Sequence, residues 1–154
     1  MTDHELIGQL SNLETLSLTL YGEARGERVE GRVAVGCVVR NRIKAKRYGV
    51  DAKAVCLMPR QFSCWLYHDE AHKHNYGSLL FAARALRNDL PGPALRECVW
   101  IAGGILDDAI EDITRQSTHY ITRNLWESKP PRWALDLTPV IGIGRHVFFA
   151  GVDK

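Results

Sequence analysis

The hydrophobic positions in the first part of the chain recur at helical spacing. Thr2 followed by Glu5, and Ser11 followed by Glu14, form capping boxes, which mark the starts of helices. The leucines after the second box recur every three or four residues, and they predict a helix over about 12–25.

Further helices are predicted along the chain from the same kind of signal. One begins near Glu30 and has two faces, an apolar stripe of Val33, Gly36, Val39 and Ile43 and a solvent-exposed basic face of Arg40, Arg42, Lys44 and Lys46. A short helix capped by Asp51 ends at Leu57, a third long helix covers about 78–89, and a fourth runs from Pro93 to about Ile110.

The last third of the chain changes to strand-forming patterns. Residues 118–122 predict a short strand, and 140–143 and 146–149 predict a hairpin that turns at Gly144-Arg145. The expected fold is therefore α+β, a mostly helical body with a small antiparallel sheet, built as a single domain over residues 1–154.

Composition and charge exclude several classes of protein. Hydrophobic residues make up 45% of the chain and charged residues 25%, which is typical of a globular protein. A net charge of +2 is too small for charge-driven binding to nucleic acid, and no apolar run approaches the roughly 20 residues of a membrane span. The acidic start lacks the pattern of a signal peptide, so we expect a monomer made in the cytoplasm that reaches its target after release by other proteins.

The four cysteines, at positions 37, 56, 64 and 98, contain no CxxC pair. Without an export signal we expect free thiols, and a bridge between Cys56 and Cys64 in an oxidising compartment stays open.

The segment YGEARGE at residues 21–27 carries the clearest candidate chemistry. Glu23 and Glu27 are four residues apart and would share one face of a continuous helix. Two neighbouring carboxylates repel, so one of them keeps its proton to a higher pH, as general-acid catalysis requires. The alternative is a solvated acidic helix end that pairs with Arg25 and Arg28.

Five segments occur in a recognisable order: YGEARGE, EGRVAVGCVVRNRI, QFSCW, THY and IGIGRHVFF. Together, over about residues 15–150, they resemble the spore-cortex-lytic, SleB-like cell wall hydrolases. The resemblance implies a lysozyme-like fold, no cofactor, and cleavage of the MurNAc–GlcNAc bond of peptidoglycan with Glu23 as the catalytic acid. It leaves open whether the product is a 1,6-anhydro sugar or a reducing sugar. Because neither an export signal nor a peptidoglycan-binding repeat is seen, we expect a phage endolysin or virion-borne lysin.

The resemblance also implies which residues contact the substrate. These substrate-binding candidates are Tyr21, Gln61, Ser63, Trp65 and Tyr120, with Glu27 and His146 as auxiliary candidates. Gln61 and Ser63 would hydrogen-bond the sugar, and Trp65 would stack on it. His146 is expected to tie the sheet to the helices rather than to shuttle protons. His119 and Tyr120 alternate along a strand, so at most one of them can face a cleft.

Two other functional interpretations of the sequence compete with cleavage of the glycan strand. Cys56, Cys64, His68, His72 and His74 cluster in sequence, and the spacing of His68 and His72 suits two zinc ligands on a helix. The sequence HDEAH matches neither HExxH nor HxxEH, so a polar surface insertion is preferred to a zinc-dependent amidase or peptidase, and no metal is expected. The third class is a non-enzymatic glycan-binding virion protein.

Overall fold

The first two helices begin at the two capping boxes. In the computed structural model, which describes residues 1–59, 61–65 and 73–153, helix α1 spans Asp3–Gln9 and α2 spans Asn12–Ala24. The hydroxyls of Thr2 and Ser11 accept the backbone N–H groups of Glu5 and Glu14, whose carboxylates accept in return. The helices that follow are α3 (Val29–Ala45), α4 (Ala52–Leu57), α5 (Lys73–Arg87), α6 (Pro93–Leu106) and α7 (Arg123–Ser128).

Helix α2 lies at the centre of the helical body. Every residue from 15 to 20 is buried, because α3, α4, α5 and α6 all pack against this helix. The buried hydroxyls of Ser17 and Thr19 donate to the carbonyls of Leu13 and Thr15, at 2.6 and 2.8 Å, so their burial leaves no donor unsatisfied. The helix that carries Glu23 is therefore held from several sides.

Helix α3 corrects the prediction of a solvent-exposed basic face. Arg40 and Arg42 are 7% and 4% exposed, because Arg40 lies against the end of α6, where its Nη1 donates to the Ile105 carbonyl at 3.3 Å, and Arg42 lies on the side of α3 that faces the sheet. The guanidinium of Arg42 donates to the Thr118 carbonyl at 2.6 Å and to Gln61 Oε1 at 2.7 Å. This buried arginine therefore joins the segment around residue 61 to the start of the sheet.

Two predicted helix boundaries also differ. Helix α5 begins at Lys73 rather than 78, because its first turn is polar and lacks the apolar period that marks a helix in sequence. Helix α6 ends at Leu106 rather than Ile110, since Asp108 takes a left-handed conformation with φ 58° and the chain folds back. Ile110 then covers Gly104, where a Cβ would lie 2.6 Å from its side chain.

The three strands are β1 (His119–Thr122), β2 (Ile141–Ile143) and β3 (His146–Phe149), in the order β1-β3-β2 with antiparallel pairing throughout. The β2–β3 hairpin turns at Gly144, whose φ of 57° favours glycine. Phe148 faces α3, and Val147 and Phe149 pack on Ala134 at the other face. The prediction of a mostly helical α+β fold with a small antiparallel sheet is confirmed.

Within the described ranges, no helix is long and apolar enough to cross a membrane. All four cysteines are buried as free thiols. Burial raises the pKa of Cys56 to about 12 and that of Cys98 to about 11, which keeps both in the unreactive thiol form at neutral pH.

Candidate active site

A cleft of roughly 670 Å³ separates the end of α2 from the β2–β3 hairpin and α7. Both acidic candidates of the YGEARGE segment open into it. Its lining consists of Glu23, Gly26, Glu27, Thr122, Arg123, Asn124, Glu127, Gly144, Arg145 and His146. The site therefore joins an early helix end to a hairpin near the end of the chain.

Glu23 lies in the last turn of α2 and is half-buried. The hydroxyl of Ser63 donates to its Oε2 atom across 3.4 Å. The segment that carries Ser63 approaches this closely because residue 22 is glycine: a Cβ there would lie 2.6 Å from Cys64 Cβ and 2.9 Å from its Sγ. Gly22 therefore allows the segment to pack directly on the turn that carries the candidate acid.

Glu27 has a different environment, because α2 ends at Ala24 and the two glutamates do not share a helix face. The side chain of Glu27 is 8% exposed and accepts three hydrogen bonds, from Arg145 N at 3.3 Å, Arg145 Nε at 3.2 Å and His146 Nδ1 at 2.9 Å. Burial acts to raise the pKa of Glu27, but the hydrogen bonds and charges of Arg145 and His146 outweigh it and lower the pKa below its usual value. Glu27 is thus a carboxylate that fastens the hairpin to the α2–α3 turn.

His146 contacts Glu27 on one side and Tyr120 on the other, with the two ring centres 5.1 Å apart and the ring planes at 88°. Burial lowers the pKa of His146, and the nearby Glu27 only partly offsets this effect. The imidazole is consequently neutral at pH 7 and donates its Nδ1 proton to Glu27. His146 thus contacts both the α2–α3 turn and β1, as the expected tie between sheet and helices would require.

Tyr120 and His119 point to opposite sides of β1. Tyr120 stacks on Phe148 at 5.5 Å, and burial together with the negative charge of Glu23 raises its pKa well above the usual range. Its phenol therefore stays protonated and can serve as a hydrogen-bond donor on the Glu23 side. His119 packs on Trp133 at 4.8 Å instead, where burial lowers its pKa to about 4.

None of the five substrate-binding candidates is among the residues that line this cleft. Gln61 uses its side-chain oxygen to accept from Arg42. Trp65 donates its indole N–H to Thr19 at 2.9 Å and borders a separate pocket beside α1. Tyr21 packs against the main core. The structure thus brings Ser63 and Tyr120 close to Glu23 and places Glu27 and His146 in the same cleft, and a sugar-binding role for all five substrate-binding candidates stays a prediction.

Four lining residues were missed from the sequence: Thr122, Arg123, Asn124 and Glu127. They follow directly on the THY segment, because Thr122 ends β1 and also caps α7 by accepting the Leu125 N–H at 3.1 Å. A threonine followed at once by a polar helical turn was the available signal. Arg123 lies against Gly142, where a Cβ would stand 2.7 Å from its Nη2 atom.

The alternative zinc cluster falls largely on residues that are not described. His68, His72 and the side chain of His74 lie outside the part of the chain that the structure describes. The two cysteines of the cluster, Cys56 and Cys64, are buried thiols. Among the described residues, no group of three histidine, cysteine or acidic side chains is placed to hold a metal ion.

Comparison with known proteins gives a family and a fold. A family model described as Cell Wall Hydrolase matches residues 26–149, a stretch that begins just after Glu23. A spore cortex-lytic enzyme of Oceanobacillus iheyensis is 36% identical over 53 residues, which cover 34% of this chain and 19% of that protein. This chain therefore matches about a fifth of the length of that curated relative.

Two solved structures share the architecture. The catalytic domain of the germination-specific lytic transglycosylase SleB from Bacillus anthracis aligns with a TM-score of 0.63 and 19% identity, covering 91% of this chain and 96% of that domain. The catalytic domain of the Bacillus cereus SleB protein aligns with a TM-score of 0.58 and 21% identity, covering 89% and 88%. At such identities the likeness shows the fold alone.

Proposed function

Because the chain belongs to the cell wall hydrolase family, we propose that it cleaves the glycan strands of peptidoglycan at MurNAc–GlcNAc bonds, with Glu23 as the proton donor. The observation that carries this proposal is the position of Glu23. A half-buried carboxyl in the last turn of the central helix opens into a cleft that is walled by the hairpin and α7.

The chemistry needs a proton for the leaving oxygen and stabilisation of a cation-like sugar carbon. Glu23 supplies the proton as the glycosidic C–O bond breaks. The 2-acetamido group of the substrate stabilises the developing positive charge, so a nucleophilic carboxylate is not required. The ionised Glu23 then takes the proton of the MurNAc 6-hydroxyl as that oxygen attacks the sugar carbon. The product is a 1,6-anhydro sugar, and Glu23 ends the cycle protonated.

Glu27 is a poor candidate for a second catalytic carboxylate because three hydrogen bonds already occupy it. Glu127 is a freer one, since it is exposed and lines the cleft. If Glu127 positioned a water molecule, the product would be a reducing sugar and the enzyme a muramidase. We propose the lytic transglycosylase course because it requires only Glu23.

The test is mass spectrometry of the soluble products from purified peptidoglycan, with wild type, Glu23→Gln and Glu111→Gln compared. Glu111 is exposed and lies away from the cleft, so its variant controls for loss of a carboxylate. We expect muropeptides lighter by one water from the wild type and from Glu111→Gln. Glu23→Gln should be slower by at least about 100-fold, the order of a general acid–base contribution, while its melting temperature stays close to wild type. Equal activity of Glu23→Gln and wild type would refute the proposal.

The same digest distinguishes the alternative functions from one another. Full-mass reducing muropeptides would indicate a muramidase and direct attention to Glu127. Free stem peptides, lost on addition of a chelator, would indicate a zinc amidase. A protein that binds peptidoglycan but releases nothing would be a glycan-binding module. Phage-driven lysis, monomeric state and delivery to the cell wall by other proteins are part of the proposal, and none of them affects the interpretation of this assay.

A further inference from the structure

The last turn of α2 is completed by a side chain from another helix. The final carbonyls of a helix lack partners within the helix and need outside donors. The guanidinium of Arg32, in α3, donates from Nε to the Ala24 carbonyl at 3.3 Å and from Nη2 to the Arg25 carbonyl at 2.9 Å. Both carbonyls come directly after Glu23 in sequence.

The third nitrogen of the same guanidinium pairs with α6. Arg32 Nη1 donates to Glu97, whose carboxylate therefore fixes the orientation of the planar group. The Arg32 side chain is 13% exposed and that of Glu97 is 40% exposed. Each of the three guanidinium nitrogens thus has one acceptor. These three hydrogen bonds join α2, α3 and α6 behind the cleft.

We infer that Arg32, oriented by Glu97, is a positioning residue that holds the last turn of α2 and with it the Glu23 carboxyl. The inference rests on the proposed function of Glu23. Ala24 is buried and its carbonyl also accepts the Glu27 N–H at 3.0 Å, whereas Arg25 is exposed and its carbonyl is bound by Arg32. A positive charge at a helix C-terminus also interacts favourably with the negative end of the helix dipole. Lysine cannot replace this arrangement, because an ammonium is a point donor without the planar fork.

The test compares Arg32→Met, Arg32→Lys and Glu97→Gln with wild type. Arg84→Met is the matched control, because Arg84 also pairs across helices, with Asp3 at 2.6 Å, but lies away from the end of α2. We expect Arg32→Met to lower kcat by about 10- to 100-fold with KM changed less than about threefold, since a small misplacement of a catalytic group costs rate rather than binding. Arg32→Lys should be nearly as slow, and Glu97→Gln should lie between them and wild type.

Amide hydrogen exchange supplies a readout that does not depend on activity. In Arg32→Met the amides of residues 22–28 should exchange at least about tenfold faster than in wild type, while those of residues 15–20 stay protected. A merely stabilising arginine would instead raise exchange across the whole core. Local exchange and kcat that both match Arg84→Met would overturn the inference. If the wild type and Glu23→Gln proved equally active or equally inactive, the proposed function would fail, whatever the exchange data showed.

Discussion

Gly22→Ala tests whether the close packing of residues 61–65 on α2 controls activity. The new methyl would lie 2.6 Å from Cys64 Cβ, whereas carbon atoms pack comfortably at about 3.5–4.0 Å. Relief therefore requires a movement of about 1 Å, and the backbone segment that bears Ser63 must provide it. Such overpacking costs about 1–3 kcal/mol, and the helix propensity of alanine over glycine returns up to about 1 kcal/mol. The expected net loss of stability is therefore about 0–3 kcal/mol.

The loss of activity should be much larger than this loss of stability suggests. Ser63 donates to Glu23 across 3.4 Å, so a shift of about 1 Å breaks this contact with the candidate acid, which we expect to lower kcat/KM by about 10- to 100-fold. Gly103→Ala in α6 is the control, because a Cβ there meets nothing within 4 Å. Urea unfolding and a peptidoglycan solubilisation assay measure the two effects. If Gly22→Ala kept wild-type kcat/KM and gained stability as Gly103→Ala should, the packing argument would be wrong.

Two further predictions concern charge. Glu27→Gln should lower the unfolding free energy at pH 7 by about 1–2 kcal/mol, since Arg145 and His146 lose their anion. Because the native pKa of Glu27 is lowered, the difference in unfolding free energy between wild type and Glu27→Gln should narrow as the pH falls below 4.5. The activity of Glu27→Gln should fall less than that of Glu23→Gln. Glu111→Gln, with no change expected, controls for the lost charge. His119, with a native pKa of about 4, should destabilise the fold as the pH falls from 6.5 towards 4, by up to about 3 kcal/mol. Urea titrations should show that the unfolding free energy changes less between pH 7 and pH 5 in His119→Gln than in wild type. An equal change in the two proteins would contradict this assignment.

The elements that could be predicted from the sequence are those with local signals. The starts of α1 and α2 follow from capping boxes that act over three residues, and the hairpin follows from Gly144 between two β-prone runs. The misjudged parts depend on distant neighbours. Arg40 is buried by the end of α6, and Arg42 by Gln61 and the residues before β1; periodicity within α3 alone does not report these contacts.

The candidate site shows the same division. Glu23 was identified from its own segment and from the family resemblance, because its position at a helix end is a local property. The environment of Glu27 was not, since its partners Arg145 and His146 are more than a hundred residues away in sequence. α7 was missed for a related reason: its residues reach the cleft only because β1 pairs with β3.

The hairpin turn explains why two glutamates of one short segment have different environments. Gly144 adopts a left-handed φ of 57°, and a Cβ there would stand 3.4 Å from Glu27 Oε1. The turn therefore brings the backbone N–H of Arg145 within 3.3 Å of that same carboxylate. Glu27 is held as an anion by this turn, while Glu23 faces a serine hydroxyl and the open cleft. Separating the environments of two neighbouring acids is a general way to assign different roles to them, and here the separation is set by the last hairpin of the fold.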